Sequence, residues 1–505
     1  MKKIVGIALL LLAIALVGGP FYAGIKAENE LQKFIAKFDA YPGYQVSWLS
    51  YERGWFSTQA TLSVGLDAAL WPDENGEPES LPTLPLVIQI DHGPLLLNDI
   101  SSVGWYSWRL DLTQDQTEWL EEHLDMAEEG QLYEAQGHAG LLGTVQFSDE
   151  LKAFSIRDDQ GNTIARTNGY VGSGTIGAAG KLSYAGLISG IDLTAEDALV
   201  VLGNITLRTE GDLSRMDWDS FVYPSNFYMN VASMELHGSG QQASVTNAVF
   251  EGAIEIPEDK DWFDLIVSLS VGNLGVNHSA TNSAVNHPAT NSAVKSVQLE
   301  DATMTFAYER ISLAAYSAYI DMAAASLESP QQELDYQQFF TPEVMKEFFA
   351  NGPAVALRNL SFSMPDGDFE GSLRLAMKDD FVMPAQITNP FIFIQALTLD
   401  ANVVVDRPLA LYLAKASSRA QVEASMVNNP DVTEADIETA VQQQAQNTLD
   451  MLMSQGILVS EGETLQAKLQ FTDGQLVLNG KPMPFPLGML MGGLQAQSAG
   501  GAQQL

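Results

Sequence analysis

Between Lys3 and Lys26 the chain carries no charged residue, and the stretch from Ile4 to Ile25 is its most apolar segment. A helix of that length, at about 1.5 Å per residue, just crosses a bilayer core of roughly 30 Å. Lys2 and Lys3 flank it on the amino side, which places the N-terminus in the cytoplasm and everything from Lys26 onward outside. A cleaved leader is the other reading, but such leaders have apolar cores of about 7–15 residues followed by a small-x-small site. Here the run is longer, and Pro20-Phe21-Tyr22-Ala23-Gly24-Ile25-Lys26-Ala27 offers no such site. Tyr22 also sits where an interfacial aromatic anchors a spanning helix. The expectation is a retained single-pass signal anchor over 1–25.

Composition narrows what the exported part can bind. Asp and Glu total 63 against 25 Lys and Arg, a formal charge of −38. That field repels phosphate backbones, so nucleic acid is not an expected partner, and adhesion of the folded part to anionic headgroups is disfavoured. Hydrophobic residues at 46% with 17% charged argue for packed domains rather than disorder. The absence of cysteine rules out disulfides, thiol catalysis and thiolate-bound metals.

Along the chain the dominant period is two. Leu31, Phe34, Ile35 and Phe38 recur at helical spacing before Pro42-Gly43, and strands begin after that. Ala60, Leu62, Val64 and Leu66 alternate with polar or small residues, as do Leu86, Ile88 and Ile90. Further strands are expected at 163–171, 199–208, 227–236 and 262–271. Helices separate them: 119–129, one opened by Thr341-Pro342-Glu343 and closed by Gly352, and one from Thr433 to Met453 with Gly456 as its stop. The last two each precede a hairpin with an Asp-Gly turn, which suggests a repeated unit. The fold class expected is β-rich α+β, with an N-terminal transmembrane helix followed by elongated antiparallel sheets and separating helices. The divisions are 1–25 (anchor), 26–135 (membrane-proximal α+β), 136–325 (β-rich, with a tandem nine-residue repeat looping out at 276–294), 326–482 (helix plus hairpin) and 483–505 (flexible tail).

Chemistry-bearing patterns are few. Gly172-Ser173-Gly174-Thr175-Ile176-Gly177 matches G-x-G-x-x-G, but a dinucleotide loop needs a helix after it, and Gly180, Tyr184 and Gly186 read as strand and turn. No G-x-S-x-G, H-E-x-x-H, S-x-x-K or EF-hand pattern occurs. No cofactor and no metal site is expected, and no catalytic residue is selected. Converging carboxylates remain the one enzymatic route open to so acidic a chain.

The segment Tyr51-Glu52-Arg53-Gly54-Trp55-Phe56-Ser57-Thr58-Gln59-Ala60 resembles the YdgA family of bacterial proteins, as do Glu28, His92-Gly93-Pro94 and the late run from Phe471 through Asp473-Gly474 and Asn479-Gly480 to Pro482. The resemblance covers the chain nearly end to end. It implies an inner-membrane anchor, a periplasmic bulk and possible self-association as a homodimer; it carries over no catalytic residue, because the family has no assigned activity. Arg53, Gly54, Trp55, Phe56, His92, Gly93, Pro94, Asp473, Gly474, Asn479 and Gly480 are therefore candidate interaction or structural residues. Arg53-Gly54 is read as a turn between strands 44–51 and 55–66, with Trp55 and Phe56 on opposite faces of the second. The expected function is non-enzymatic, a cell-envelope protein binding lipid or a protein partner through a sheet surface. The alternative is an envelope hydrolase with a carboxylate pair.

Overall fold

The structure, a computed structural model, describes residues 25–483 except 67–82, 279–296, 328–340, 385–390, 427–431 and short gaps at 26–27, 30, 34, 37–43, 97–99, 102, 127–130, 159, 196–197, 219 and 239–240. The expected anchor (all but Ile25), most of the repeat loop and all but Met483 of the tail lie outside the described residues. Among the described residues no helix is long and apolar enough to cross a membrane.

Two-residue alternation is realised throughout as one 25-stranded sheet in which every described pairing is antiparallel. It opens with β1 (Tyr44–Arg53), β2 (Ser57–Leu66), β3 (Leu84–His92), β4 (Tyr106–Leu112) and α1 (Gln114–His123). Short strands follow: β5 (Asp125–Met126), β6 (Tyr133–Ala139), β7 (Val145–Leu151), β8 (Phe154–Arg157), β9 (Thr163–Thr167), β10 (Tyr170–Ile176), β11 (Lys181–Ile188), β12 (Ile191–Ala195), β13 (Ala198–Leu202) and β14 (Ile205–Asp212). Four long strands occupy the middle, β15 (Ser225–Gly238), β16 (Gln241–Glu255), β17 (Trp262–His278) and β18 (Val297–Ser312). The last part alternates α2 (Leu313–Leu327), α3 (Pro342–Phe349), β19 (Ala354–Met364), β20 (Gly367–Met377), α4 (Phe391–Ala396), β21 (Leu397–Asp406), α5 (Arg407–Met426), α6 (Glu434–Ser454), β22 (Val459–Glu461), β23 (Thr464–Thr472), β24 (Gln475–Leu478) and β25 (Lys481–Met483).

The main ladder runs β1-β2-β3-β4-β6-β7-β10-β11-β14-β15 and on through β16, β17, β18, β19, β20, β21, β23, β24 and β25. A side wing, β13-β12-β9-β8-β5, joins the far half of β15. Paired residues share a face, so the register shows which side chains stand together. One face is apolar along the main ladder. Trp48, Leu62, Leu86 and Leu112 line up at its start; Phe227, Gly252, Val267, Phe306, Leu357 and Leu373 line up in the middle; Val405 and Leu465 stand together near its end.

Among the described residues, helices pack on that face at its two ends. Leu31 and buried Ile35, helical residues ahead of β1, pack on Val46, Leu62, Ile88 and Ile90. At the other end Leu409 and Ala410 of α5 and Leu449 of α6 pack on Val405 and Leu465. The α6 start is secured as its sequence implies, Thr433 and Asp436 forming a reciprocal capping box. On the polar face Glu309 receives Arg358 Nη2 at 2.9 Å and Arg374 Nε at 3.0 Å. Burial pushes the Glu309 carboxyl up, but the two guanidiniums outweigh it and hold the group below its ordinary range.

A line of special backbone crosses the four long strands. On β15, Val231 pairs with Ile205 of β14 and Met234 pairs with Leu202 of β13, and Gly203-Asn204 bridges the switch through Gly203 N to Ser233 O at 2.8 Å. At the same level the ladder skips Asn247 on β16, Gly272 on β17 and Asp301 on β18; Asn247 and Asp301 have φ of 57° and 48°. Across this crease the apolar residues change parity, from Phe227, Met229 and Val231 to Met234 and Leu236 on β15, and from Leu269 and Val271 to Leu274 and Val276 on β17. The expected strand 199–208 is therefore two strands broken at Gly203, and 163–171 is likewise two, broken at Gly169 with φ of 93°. The helix expected at 119–129 is α1, shifted to Gln114–His123 with β5 after it. Both hairpins of the suspected repeat are present, after α3 and after α6, the second with β22 inserted before it.

Left-handed backbone suits Asn and Gly and costs a β-branched residue about 1–2 kcal/mol. Asn247→Val should lower stability by about that amount while Asn247→Gly stays near wild type, as read from paired thermal melts.

Candidate functional site

Two clusters drawn from the sequence are joined by the β2–β3 ladder. β1 runs to Arg53 and β2 begins only at Ser57, so Trp55 and Phe56 lie in the connecting turn rather than on the strand as expected. The turn closes through Gly54 N to Ser57 O at 2.7 Å and leaves Trp55 48% and Phe56 54% exposed, so neither serves as core packing. The His92 amide donates to Phe56 O at 2.7 Å, pinning that aromatic turn to the end of β3. The His92 side chain is 2% exposed, and its Nε2 meets the Thr58 hydroxyl at 3.0 Å. Burial holds the imidazole below the ordinary histidine range, against the opposing pull of the Trp55 backbone and the Asp91 charge. Arg53 Nη1 reaches Glu28 Oε2 at 2.5 Å, tying the helical residues ahead of β1 to the same corner.

Gly93 is required here by close approach: a Cβ at that position would lie 1.5 Å from Gly104 O. The backbone around it is stitched by Gly93 N to Trp105 O at 2.7 Å and Gly104 N to Pro94 O at 3.2 Å. Arg53, Gly54, Trp55, Phe56, His92, Gly93 and Pro94 thus form one corner, to which Thr58, Gly104 and Trp105 also belong. Thr58 lies in the resemblance segment without being singled out, and Gly104 and Trp105 carry no motif; only strand pairing brings them in.

The late residues stand apart from that corner. Asp473 and Gly474, with φ of 53° and 75°, make the β23–β24 turn, and Asp473 pairs with Lys378 Nζ at 2.7 Å. Asn479 accepts the Lys468 amide at 2.7 Å and donates to Gly456 O at 2.8 Å and Ile457 O at 3.0 Å. It clamps the loop after α6 onto the final hairpin, while Gly480 supplies the next turn with φ of 76°. These are structural tasks.

The glycine hexad has a steric meaning as well. Gly172 and Gly174 sit inside β10, and a Cβ on Gly172 would lie within 2.4 Å of the Tyr184 and Tyr170 hydroxyls and of Asp149 Oδ1. Tyr184 Oη donates to Asp149 Oδ1 at 2.9 Å across that flat strip. Burial raises the Asp149 carboxyl, with the Tyr170 hydrogen bond opposing it. A turn and then strand β11 follow, not the helix a dinucleotide site would need.

Among the described residues the middle of the apolar face is partly exposed. Phe227, Leu269, Phe306, Val355, Leu373 and Leu375, drawn from strands β15 to β20, are each 36–44% exposed. Single exposed apolar residues are ordinary; here six stand on one face of neighbouring strands. Among the described residues no three His, Asp or Glu groups converge to hold a metal ion.

A model of a family described as "Bacterial protein of unknown function (DUF945)" matches residues 1–486. The chain belongs to that family. The match spans nearly the whole sequence, so the sheet, its helical covers and the His92 corner all fall within it. No curated protein matched the chain, and no solved structure did.

A buried neutral histidine makes stability depend on pH in one direction. Its folded pKa lies below the unfolded value of about 6.5, so the unfolded chain takes up the proton first and stability falls as pH drops through that value. His92→Gln should flatten the melting-temperature decline between neutral pH and pH of about 5. An unchanged decline would mean that His92 does not carry it.

Proposed function

We propose that this family member is a non-enzymatic envelope protein that holds the acyl chain of an amphiphile on the open middle of its apolar sheet face. The observation that carries the reading is the exposed set from Phe227 to Leu375, left bare among the described residues between two helix-covered ends of one face. From β15 to β20 there are five strand steps of about 4.8 Å, or about 24 Å, the length of an extended long acyl chain. A methylene half-covered by the sheet contributes about 0.4 kcal/mol, half the full-burial value. A dozen contribute about 5 kcal/mol, comparable to the low end of the cost of association, so long chains should bind and short ones fail.

The reading includes location: residues 4–25 retained as a single-pass inner-membrane anchor, with the rest periplasmic, as the YdgA resemblance also implies. An anchor would deliver the protein to lipid that its charge of −38 otherwise keeps at a distance. The hydrolase alternative rests on Asp111 and Glu134, paired across β4 and β6, with the Asp111 carboxyl raised by burial. Arg109 Nε lies 3.2 Å from Glu134 and compensates its charge, so this pair supports the binding reading no less than a catalytic one.

Full-length protein extracted with organic solvent should release long-chain lipid detectable by mass spectrometry. It should also bind a fluorescent long-chain fatty acid, with affinity falling at least tenfold in Leu373→Asp. Equal binding in that variant, or a dimer that Leu373→Asp dissociates without any bound lipid, would overturn the proposal. Intact-mass analysis should find the N-terminal segment present; a mature terminus beyond Gly24 would remove the anchor.

A further inference from the structure

The opposite, polar face of the N-terminal strands carries a second feature that the apolar-face reading leaves unused. A cleft of about 890 Å³ opens over β4, β6, β7, β10 and β11. Two cross-strand rows floor it. Arg109, Gln136, Ser148 and Ser173 stand side by side in one, and His138, Gln146, Thr175 and Ser183 in the next. Hydrogen-bonding side chains gathered this densely on a sheet ordinarily pair with one another, as Ser50 does with Thr61 and Ser268 with Thr305 elsewhere in this chain. Among the described residues Gln136, His138, Gln146, Ser148, Ser173, Thr175 and Ser183 make no side-chain hydrogen bond to protein. Arg109 Nε is buried near Glu134 but outside hydrogen-bond geometry. The cleft therefore presents a field of uncommitted donors and acceptors, of a size that encloses a small ligand.

We infer that this cleft is a binding site for a neutral oligosaccharide. The backbone groups of these strands are engaged in the ladder, so a ligand must be held by side chains alone, which suits a polyol better than a peptide that seeks main-chain partners. Amides and hydroxyls both donate and accept, matching sugar hydroxyls that do the same. Charge selects against anions: the single arginine faces Glu134, with Glu150 and Asp111 paired to Glu134 on either side, in a chain of net charge −38. Adjacent strands repeat at about 4.8 Å, close to one pyranose unit, so successive sugars laid along a row can meet successive strands. Gly137 and Gly174 leave low ground between the rows, and Ala185 ends the first row with a methyl group on which a sugar C–H face can rest.

The experiment titrates full-length protein with neutral hexasaccharides of glucose, mannose and N-acetylglucosamine, followed by calorimetry. At least one should bind saturably at millimolar concentration or below, and Gln136→Ala with Gln146→Ala should weaken it tenfold or more without moving the melting temperature. Ser173→Ala provides a smaller, conservative loss of a few-fold, and Leu373→Asp on the other face should leave sugar binding unchanged, which separates this site from the acyl-chain proposal. Absence of binding by all three sugars would overturn the inference. So would binding indifferent to the glutamine pair, or equal competition by an uncharged peptide of the same length.

Discussion

The backbone ladder is the constraint from which everything else in this molecule follows. Each strand satisfies its amides and carbonyls only by lying against a neighbour, and in this chain nearly every strand pairs with the next one in sequence or skips a short wing. A single sheet built that way has two faces and must bury one of them. With no disulfide available, helices docked on the apolar side do so at the two ends, through Ile35 at one and Leu409 and Leu449 at the other. The middle is left without a cover among the described residues, and this makes the sheet a surface as well as a scaffold.

The crease across β15 to β18 shows how such a sheet is steered. A long antiparallel strand keeps its apolar residues on one parity unless its backbone is interrupted, and here four neighbours are interrupted at one level. Asn247 and Asp301 adopt left-handed backbone, and Gly203 gives room for the Ser233 side chain, whose Oγ would lie 2.4 Å from an added Cβ. The apolar set moves from odd to even positions on β15, and the same line is where β15 changes partner from β14 to β13. Local backbone chemistry thus decides both the branching of the sheet and the side each wing buries.

Polar groups are treated differently in different parts of the sheet. Glu309 is matched by the guanidiniums of Arg358 and Arg374, and Asp149 accepts a hydrogen bond from Tyr184 over a strip of glycine, so carboxyls in crowded places are partnered. The side chains over β6, β7, β10 and β11 are not compensated by one another. That contrast, rather than any single residue, distinguishes a surface built for ligand from one built for stability.

Much of this was legible in the residue order. Alternation located the strands, Thr433 marked the start of α6, Asp473-Gly474 marked a turn, and the R-G-W-F and H-G-P segments stood out singly, to be joined only by strand pairing. Periodicity alone could not show that Gly203 and Gly169 split strands, because a glycine within an apolar run reads equally as an interior position. Nor could it show that Trp55 and Phe56 lie half-exposed in a turn, or that Gly172 and Gly174 clear space for Asp149, because those depend on which strand lies alongside. What the sequence determined by itself was local: strand, cap, turn, charge and the apolar run at the start. Register was decided only by tertiary structure, since pairing is a relation between distant segments; it set which apolar residues stay bare and which polar side chains converge.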